Sequence, residues 1–208
     1  NLIIGDNSFG FINSGSGNKI NSNIGSQVLG TDATYIYSTD KTGLVTNNTA
    51  LTSTGSYNYG LYSAGTVVNN RSINFNSGFG NVGIYSTYGG RATNNSNISV
   101  GKSYIDPNDV QNNRYSVGMA AGFSPNEIER RAGKTPYTGN IVNNGIINVT
   151  GEYSIGMYGT GVGTKVYNGT TTNPNAVINL SASNTTGMYL DNGAVGYNYG
   201  TIKTVGTG

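Results

Sequence analysis

Apolar residues in this chain come in closely spaced pairs, and the pairs recur in a fixed order. A motif with Asn early, then an aliphatic residue, a small polar one and usually a second apolar one appears seven times, centred on Ile20, Leu51, Ile73, Ile98, Ile147, Ile178 and Ile202. Asn143-Asn144-Gly145-Ile146-Ile147-Asn148-Val149 is a clear instance. A second motif, Gly-apolar-Tyr, interleaves with the first as Gly60-Leu61-Tyr62, Gly83-Ile84-Tyr85, Gly156-Met157-Tyr158 and Gly187-Met188-Tyr189. Gly10-Phe11-Ile12 and Gly118-Met119-Ala120 are weaker copies, and Tyr35-Ile36-Tyr37 stands where another is expected. In the clearest coils it begins nine residues after the central aliphatic, from Ile147 to Gly156 and from Ile178 to Gly187.

Both motifs alternate as half-buried strands do. Ile147 and Val149 would face one way and Asn148 the other. Ile155 and Met157 would face inward while Gly156 and Tyr158 face out, and Val82 with Ile84, Val117 with Met119, and Phe9 with Phe11 repeat the inward pair. Two strands and a fixed link then form the constant part of each coil. The connection back varies in length and carries insertions at about 101–114, 121–140 and 159–173. Two inward residues per strand cannot hold a lone coil together, whereas stacking sets aliphatic on aliphatic about 4.8 Å away. With no helical pattern between successive copies, the strands must pair in parallel. The predicted fold is all-β: a parallel β-helix of about seven coils, occupying 1–208 as one segment. Right-handed coiling is expected from the general preference of parallel crossovers. An antiparallel sandwich or a propeller also has many short strands. Neither accounts for two strand types alternating in fixed order with one fixed link.

Composition supports a thin, repetitive core. The 208 residues include 33 glycines and 32 asparagines, and only 10% are charged. Aliphatic residues are too sparse for one thick core, yet a net charge of +2 and 16 tyrosines do not suit a disordered tail. Cysteine, histidine and tryptophan are absent, which excludes disulfides, thiolate chemistry and imidazole chemistry. The chain opens without a basic stretch leading into an apolar run, and no apolar run is long enough to cross a bilayer as a helix. Asn1 and Gly208 read as cuts through a longer repetitive protein, so any signal, anchor or capping coil would lie outside this segment.

The run from Asn143 to Gly159, Asn-Asn-Gly-Ile-Ile-Asn-Val-Thr-Gly-Glu-Tyr-Ser-Ile-Gly-Met-Tyr-Gly, resembles the passenger domains of the large fusobacterial type V autotransporter adhesins. So does Asn184-Thr185-Thr186-Gly187-Met188-Tyr189-Leu190-Asp191-Asn192-Gly193-Ala194. The similarity is strongest over 143–206 and looser before it. It implies a right-handed β-helix displayed on the cell surface, anchored in the outer membrane through a β-barrel elsewhere in the protein. It also implies attachment to a host or partner-cell protein or glycan. No receptor-binding motif with defined residues maps onto this sequence.

Candidate chemistry is thin. The nine acidic residues are scattered. Asp106 and Asp109 sit in Asp106-Pro107-Asn108-Asp109, where turn formation accounts for them. Glu127 and Glu129 adjoin Arg130 and Arg131 after Ser124-Pro125, which reads as a short helical turn with a Ser cap and Pro at its first position. A glycosidase would need two opposed carboxylates at a set separation, so a polysaccharide lyase or hydrolase is the alternative rather than the main reading, and no catalytic, cofactor or metal residue is assigned. Gly159-Thr160-Gly161-Val162-Gly163-Thr164-Lys165 has the wrong spacing for a phosphate loop. No calcium-binding nonapeptide is present.

Two groups of residues remain as partner-binding candidates. Tyr62, Tyr85, Tyr158 and Tyr189 would align as an outward ladder one coil apart, able to stack on sugar rings or anchor a protein. Equally, stacked rings and stacked Asn side chains could simply stabilise the sheet from outside. The insertion 121–140 holds Phe123, Tyr137 and the cluster Arg130, Arg131 and Lys134. Three cations are a weak basis for nucleic-acid or membrane binding. Adhesive contact and a purely structural spacer both remain open.

Overall fold

A computed structural model describes residues 3–206. The chain winds through three parallel sheets of eight, seven and seven strands, visiting them in the same order in every coil. The first sheet comprises Ile3–Ile4, Ser26–Leu29, Ala50–Ser53, Ile73–Phe75, Asn97–Val100, Ile146–Val149, Val177–Leu180 and Thr201–Thr204. The second contains Phe9–Asn13, Thr34–Ser38, Tyr59–Ser63, Val82–Ser86, Val117–Ala121, Ile155–Thr160 and Thr186–Asp191. The third contains Lys19–Ser22, Leu44–Asn47, Thr66–Asn69, Arg91–Asn94, Asn140–Asn143, Lys165–Asn168 and Val195–Asn198. This is a parallel β-helix of seven three-stranded coils.

Each coil therefore has three strands where the two motifs predict two. The third is short, with one fully inward aliphatic residue, and lacks the Gly-apolar-Tyr signature. Its register gives Val45, Val67, Ala92, Ile141 and Val166 one column, each two residues before an Asn. This strand also explains two differences from the sequence reading. The Ile20 copy of the Asn-aliphatic motif belongs to the third sheet, where Ile20 pairs with Val45, and Gln27 is the residue in register with Leu51. The stretch 159–173 is not an inserted loop either. It contains the regular third-sheet strand Lys165–Asn168, followed by a longer turn closed by Thr170 and Asn173.

Four apolar columns fill the interior, one of them the first-sheet run Phe75, Val100 and Val149. Leu51, Ile73, Ile98, Ile147 and Ile178 come from the first sheet, Ile36, Leu61, Ile84, Met119 and Met157 from the second, and the third-sheet aliphatics complete the core. Each column supplies one side chain per coil and is sealed by its neighbours above and below, so burial is a property of the stack.

A polar column closes the corner between the third and first sheets. Asn47 Nδ2 donates to Asn69 Oδ1 at 2.8 Å, Asn69 to Asn94 at 2.8 Å, Asn94 to Asn143 at 2.9 Å, and Asn143 to Asn168 at 3.0 Å. All five of these asparagines are fully buried. In the first four the remaining amide hydrogen turns the chain locally, as where Asn94 Nδ2 donates to Ser96 O and its Oδ1 accepts the Ser96 N–H, while that of Asn168 reaches Thr201 O in the next coil. Every polar atom of the side chain is used, which makes an amide tolerable in the core. A second ladder through Asn23, Asn48, Asn70, Asn95 and Asn144 runs alongside on the exposed surface. The stacked asparagines expected outside the sheet thus include an inner row.

The second sheet departs from simple alternation at its glycines. A Cβ on Gly83, Gly118 or Gly156 would meet the carbonyl oxygen of the next coil's glycine at 2.6 Å and an isoleucine methyl of the first sheet at 2.8–2.9 Å. The glycine therefore faces the core beside Ile84, Met119 or Met157. Val82, Val117 and Ile155 are displaced outward, where they pack with Tyr59, Tyr85 and Tyr158 in a separate cluster. The inward pairs expected for Val82, Val117 and Ile155 are therefore not formed. Phe9 aligns with the same outward column through Thr34 and Tyr59. Tyr35 occupies the glycine position of its own coil, fully buried, with its hydroxyl hydrogen-bonded to Ser22. Tyr35→Phe should cost about 1 kcal/mol, read as a modest fall in melting temperature.

Candidate functional site

The outer face of the second sheet carries three parallel columns along the helix axis. Turn residues preceding the strands form the first: Asn7, Asp32, Tyr57, Gly80, Tyr115, Tyr153 and Asn184. The second column is Phe9, Thr34, Tyr59, Val82, Val117, Ile155 and Thr186, and the third is Ile12, Tyr37, Tyr62, Tyr85, Ala120, Tyr158 and Tyr189. Between the first and third columns the surface forms a trough floored by the second.

Local backbone chemistry builds the rim. Asn7, Asp32, Tyr57, Gly80, Tyr153 and Asn184 all have positive φ, between 50° and 66°. Asn, Asp and Gly suit that conformation, but a tyrosine does not, so Tyr57 at 63° and Tyr153 at 59° are held in strained turns. Their rings stand beside the trough, 37% and 43% exposed.

Three clefts adjoin one another along this face. One, lined by Asn7, Phe9, Asp32, Tyr37, Tyr59 and Tyr62, shares Asp32 and Tyr59 with a second that reaches Tyr57, Val82 and Arg114. Tyr115 connects the second to a third of about 540 Å³, lined by Tyr115, Val117, Tyr153, Ile155, Tyr158, Asn184, Thr186, Tyr189 and Asp191.

The tyrosine ladder is present but interrupted. Tyr62 and Tyr85 are adjacent, with ring centroids 5.1 Å apart, and Tyr158 and Tyr189 stack at 5.8 Å. Tyr85 and Tyr158 are not one coil apart, because Ala120 stands in register between them. Tyr37, absent from the predicted row, extends it by stacking on Tyr62 at 4.9 Å.

The insertion following Ala121 folds over the middle of this face. Its base is an antiparallel bridge between Phe123 and Tyr137, whose rings stack at 5.0 Å. Tyr137 also stacks on Tyr88 at 4.1 Å, and the Tyr85 hydroxyl donates to Gly122 O at 2.7 Å. Burial first, and then the neighbouring Tyr137 hydroxyl, raises the phenols of Tyr62 and Tyr85 well above the ordinary tyrosine value. The structure thus brings Phe123 and Tyr137 together with Tyr62 and Tyr85, leaving Tyr158 and Tyr189 open beyond Ala120. The insertion between Val100 and Val117 lies at the opposite rim, where Tyr104 contacts Phe79. There Asp106 and Asp109 accept backbone N–H groups of their own turns.

Arg130, Arg131 and Lys134 do not face the trough residues as free cations. A single helical turn, α1 (Glu127–Arg131), pairs Arg130 and Arg131 with Glu127, while Lys134 meets Glu129 at 3.1 Å. Lys134 also lies over the Phe123 ring at 5.9 Å. The helix cap is Asn126 rather than Ser124, because Asn126 and Glu129 form a reciprocal capping box. The Asn126 backbone N–H, and then Lys134, hold the Glu129 carboxyl below the usual value. A depressed carboxyl contributes stability above its unfolded pKa, and that contribution is lost as pH falls through the folded value. The Asn126 amide resonance should accordingly titrate below the ordinary glutamate range, while core amides remain unmoved.

Chemically, the trough offers aromatic faces, apolar floor and a few polar edges. Burial is the leading cause that raises the Tyr158 phenol, with Asp191 adding to it. Among the described residues no three acidic side chains converge where a metal ion could be held. Asp32 and Asp191 stand five coils apart, about 24 Å at the spacing of stacked strands.

No curated protein and no solved structure matches the chain. Among protein-family models, that of the third pectate lyase-like domain of BigA matches residues 3–201, nearly the whole length and every coil of the stack. The chain belongs to that family, the third pectate lyase-like domain of BigA.

Proposed function

We propose that this segment is a non-catalytic β-helical scaffold of a bacterial cell-surface adhesin, anchored through an outer-membrane β-barrel outside it. In this reading it contributes to attachment to host or partner cells through the outer face of the second sheet. The observation that carries the reading is the trough, where exposed tyrosines cluster on one face of a rigid stack, two of them in strained turns. The surface placement rests on the resemblance of 143–159 and 184–194 to autotransporter passengers. Against a glycosidase working in the trough, its carboxylates Asp32 and Asp191 stand about 24 Å apart, far beyond the roughly 5–10 Å that such chemistry uses.

A pure spacer is the second reading, because the buried asparagine ladder would be needed whatever the surface does. Whole-cell adhesion separates the two. Deleting 101–140 would remove the core strand Val117–Ala121, so the better variant replaces only 124–136 with a short Gly-Ser turn. A second variant combines this change with Tyr153→Asn and Tyr189→Ala. Equal surface display with adhesion reduced severalfold in the combined variant is the expected result. Unchanged adhesion would make this segment a spacer.

A further inference from the structure

We infer that the open end of the trough, around Tyr115, Tyr153, Tyr158 and Tyr189, binds a neutral hexopyranose chain lying along the helix axis. The inference rests on the adhesive reading above and names the partner class for the same face. Three observations carry it.

The first is shape. The clefts adjoin along the axis, the first two through Asp32 and Tyr59 and the last two through Tyr115, from the coil of Phe9 to that of Tyr189. Six steps of about 4.8 Å make this about 29 Å long, which suits an extended polymer better than a compact head group.

The second is the lining. Tyr158 and Tyr189 form a stacked pair beside the Val117, Ile155 and Thr186 floor, with Asn184 and Asp191 at the edges. Aromatic faces meet the C–H faces of a pyranose, and amide, hydroxyl and carboxylate edges meet its hydroxyls. The charges disfavour a polyanion. Asp32 and Asp191 are the carboxylates of the channel, and its one cation, Arg114, donates to the carbonyls of Gln111 and Asn113 in its own loop. A uronate or sulfated chain would meet those carboxylates and a guanidinium whose Nη1 is already held by its own loop.

The third is strain. Tyr153 sits at φ 59°, in a turn column where Asn7 and Asn184 occupy the same conformation. Asparagine is more at ease in that conformation, so the tyrosine is held there at a conformational cost.

This makes an unusual test possible. Tyr153→Asn should leave the melting temperature unchanged or raised while weakening binding roughly tenfold, the equivalent of one lost aromatic contact. Tyr189→Ala, at a 49% exposed site, should do the same to binding. The 208-residue protein would be titrated calorimetrically with galactomannan, mixed-linkage β-glucan and poly-N-acetyllactosamine, and with polygalacturonate and heparan sulfate as anionic probes. Saturable binding of a neutral polymer, lost in both variants without a fall in melting temperature, is the expected result. Preference for an anionic probe would overturn the inference, as would binding insensitive to either substitution or failure of every neutral probe. If no glycan binds but the same variants lose whole-cell adhesion, the adhesive reading stands with a protein partner and the glycan assignment falls.

Discussion

Asn94→Ala is expected to destabilise the protein by about 3–5 kcal/mol, lowering the melting temperature by roughly 10 °C for a chain of this size. The side chain sits at the centre of the inner ladder, accepting from Asn69 and donating to Asn143 while turning back onto Ser96. Alanine would leave the Asn69 and Asn143 amides each short of a partner and would orphan the Ser96 N–H, while Ser96 O keeps the Ile146 N–H. Removing one member of a buried polar network costs the desolvation of what remains, a larger loss than the net worth of any single bond. Asn95→Ala, on the parallel exposed ladder, should cost less than about 1 kcal/mol because water replaces the lost partner. Asn94→Asp sharpens the test. Burial would raise its pKa, so the neutral acid, which can still donate to Asn143, is favoured at low pH. The variant should therefore lose stability as pH rises above the ordinary aspartate range. Thermal melts of the three variants at pH 4 and pH 7 would check each sign. Equal losses at positions 94 and 95 would contradict the inner ladder's role.

Gly156→Ala is the second large effect, at about 3 kcal/mol or more. The new methyl would lie 2.6 Å from the Gly187 carbonyl oxygen and 2.8 Å from the Ile178 methyl. The first neighbour is backbone tied into the inter-coil ladder and cannot rotate away. Since coils in a stack are stabilised chiefly by their immediate neighbours, the damage should spread to the adjoining coils. It would appear as faster amide exchange in 146–160 and 177–191. Gly25→Ala makes the control, with no atom within 4 Å of the added carbon, and should be neutral or slightly stabilising. A neutral Gly156→Ala would mean that the glycine marks a turn preference rather than a packing limit.

These two residues also show where the sequence can be read and where it cannot. Gly156 is visible as part of a repeated motif, but alternation places it outside, opposite Met157. Only the approach of the next coil shows that both face inward and that Ile155 turns out to floor the trough. Asn94 is likewise visible as one of a pair, Asn94-Asn95, yet nothing local says which of the two is buried. The corner between the third and first sheets decides it. An aliphatic-x-Asn pattern, as in Val45-Thr46-Asn47, Val67-Val68-Asn69 and Val166-Tyr167-Asn168, would have exposed the third strand and with it the inner ladder.

For the candidate site, the tyrosines and the insertion were legible as separate groups, because aromatic repeats and irregular spacing are local features. Their relation was not. Tyr137 reaches Tyr62 and Tyr85 across some fifty to seventy-five positions of sequence, and Ala120 separates those tyrosines from Tyr158 only once the register is known. Tyr115 and Tyr153 carry no motif at all and enter the trough through the turn that precedes each second-sheet strand. The sequence by itself determined the repeat, the strand character, the parallel stack and the absence of thiol and imidazole chemistry, since each follows from composition or from the spacing of motifs along the chain. Tertiary structure alone decided which of the motif glycines, their preceding aliphatics and the paired asparagines are inside, where the trough runs and what the insertion covers, because every one of those depends on contacts between coils.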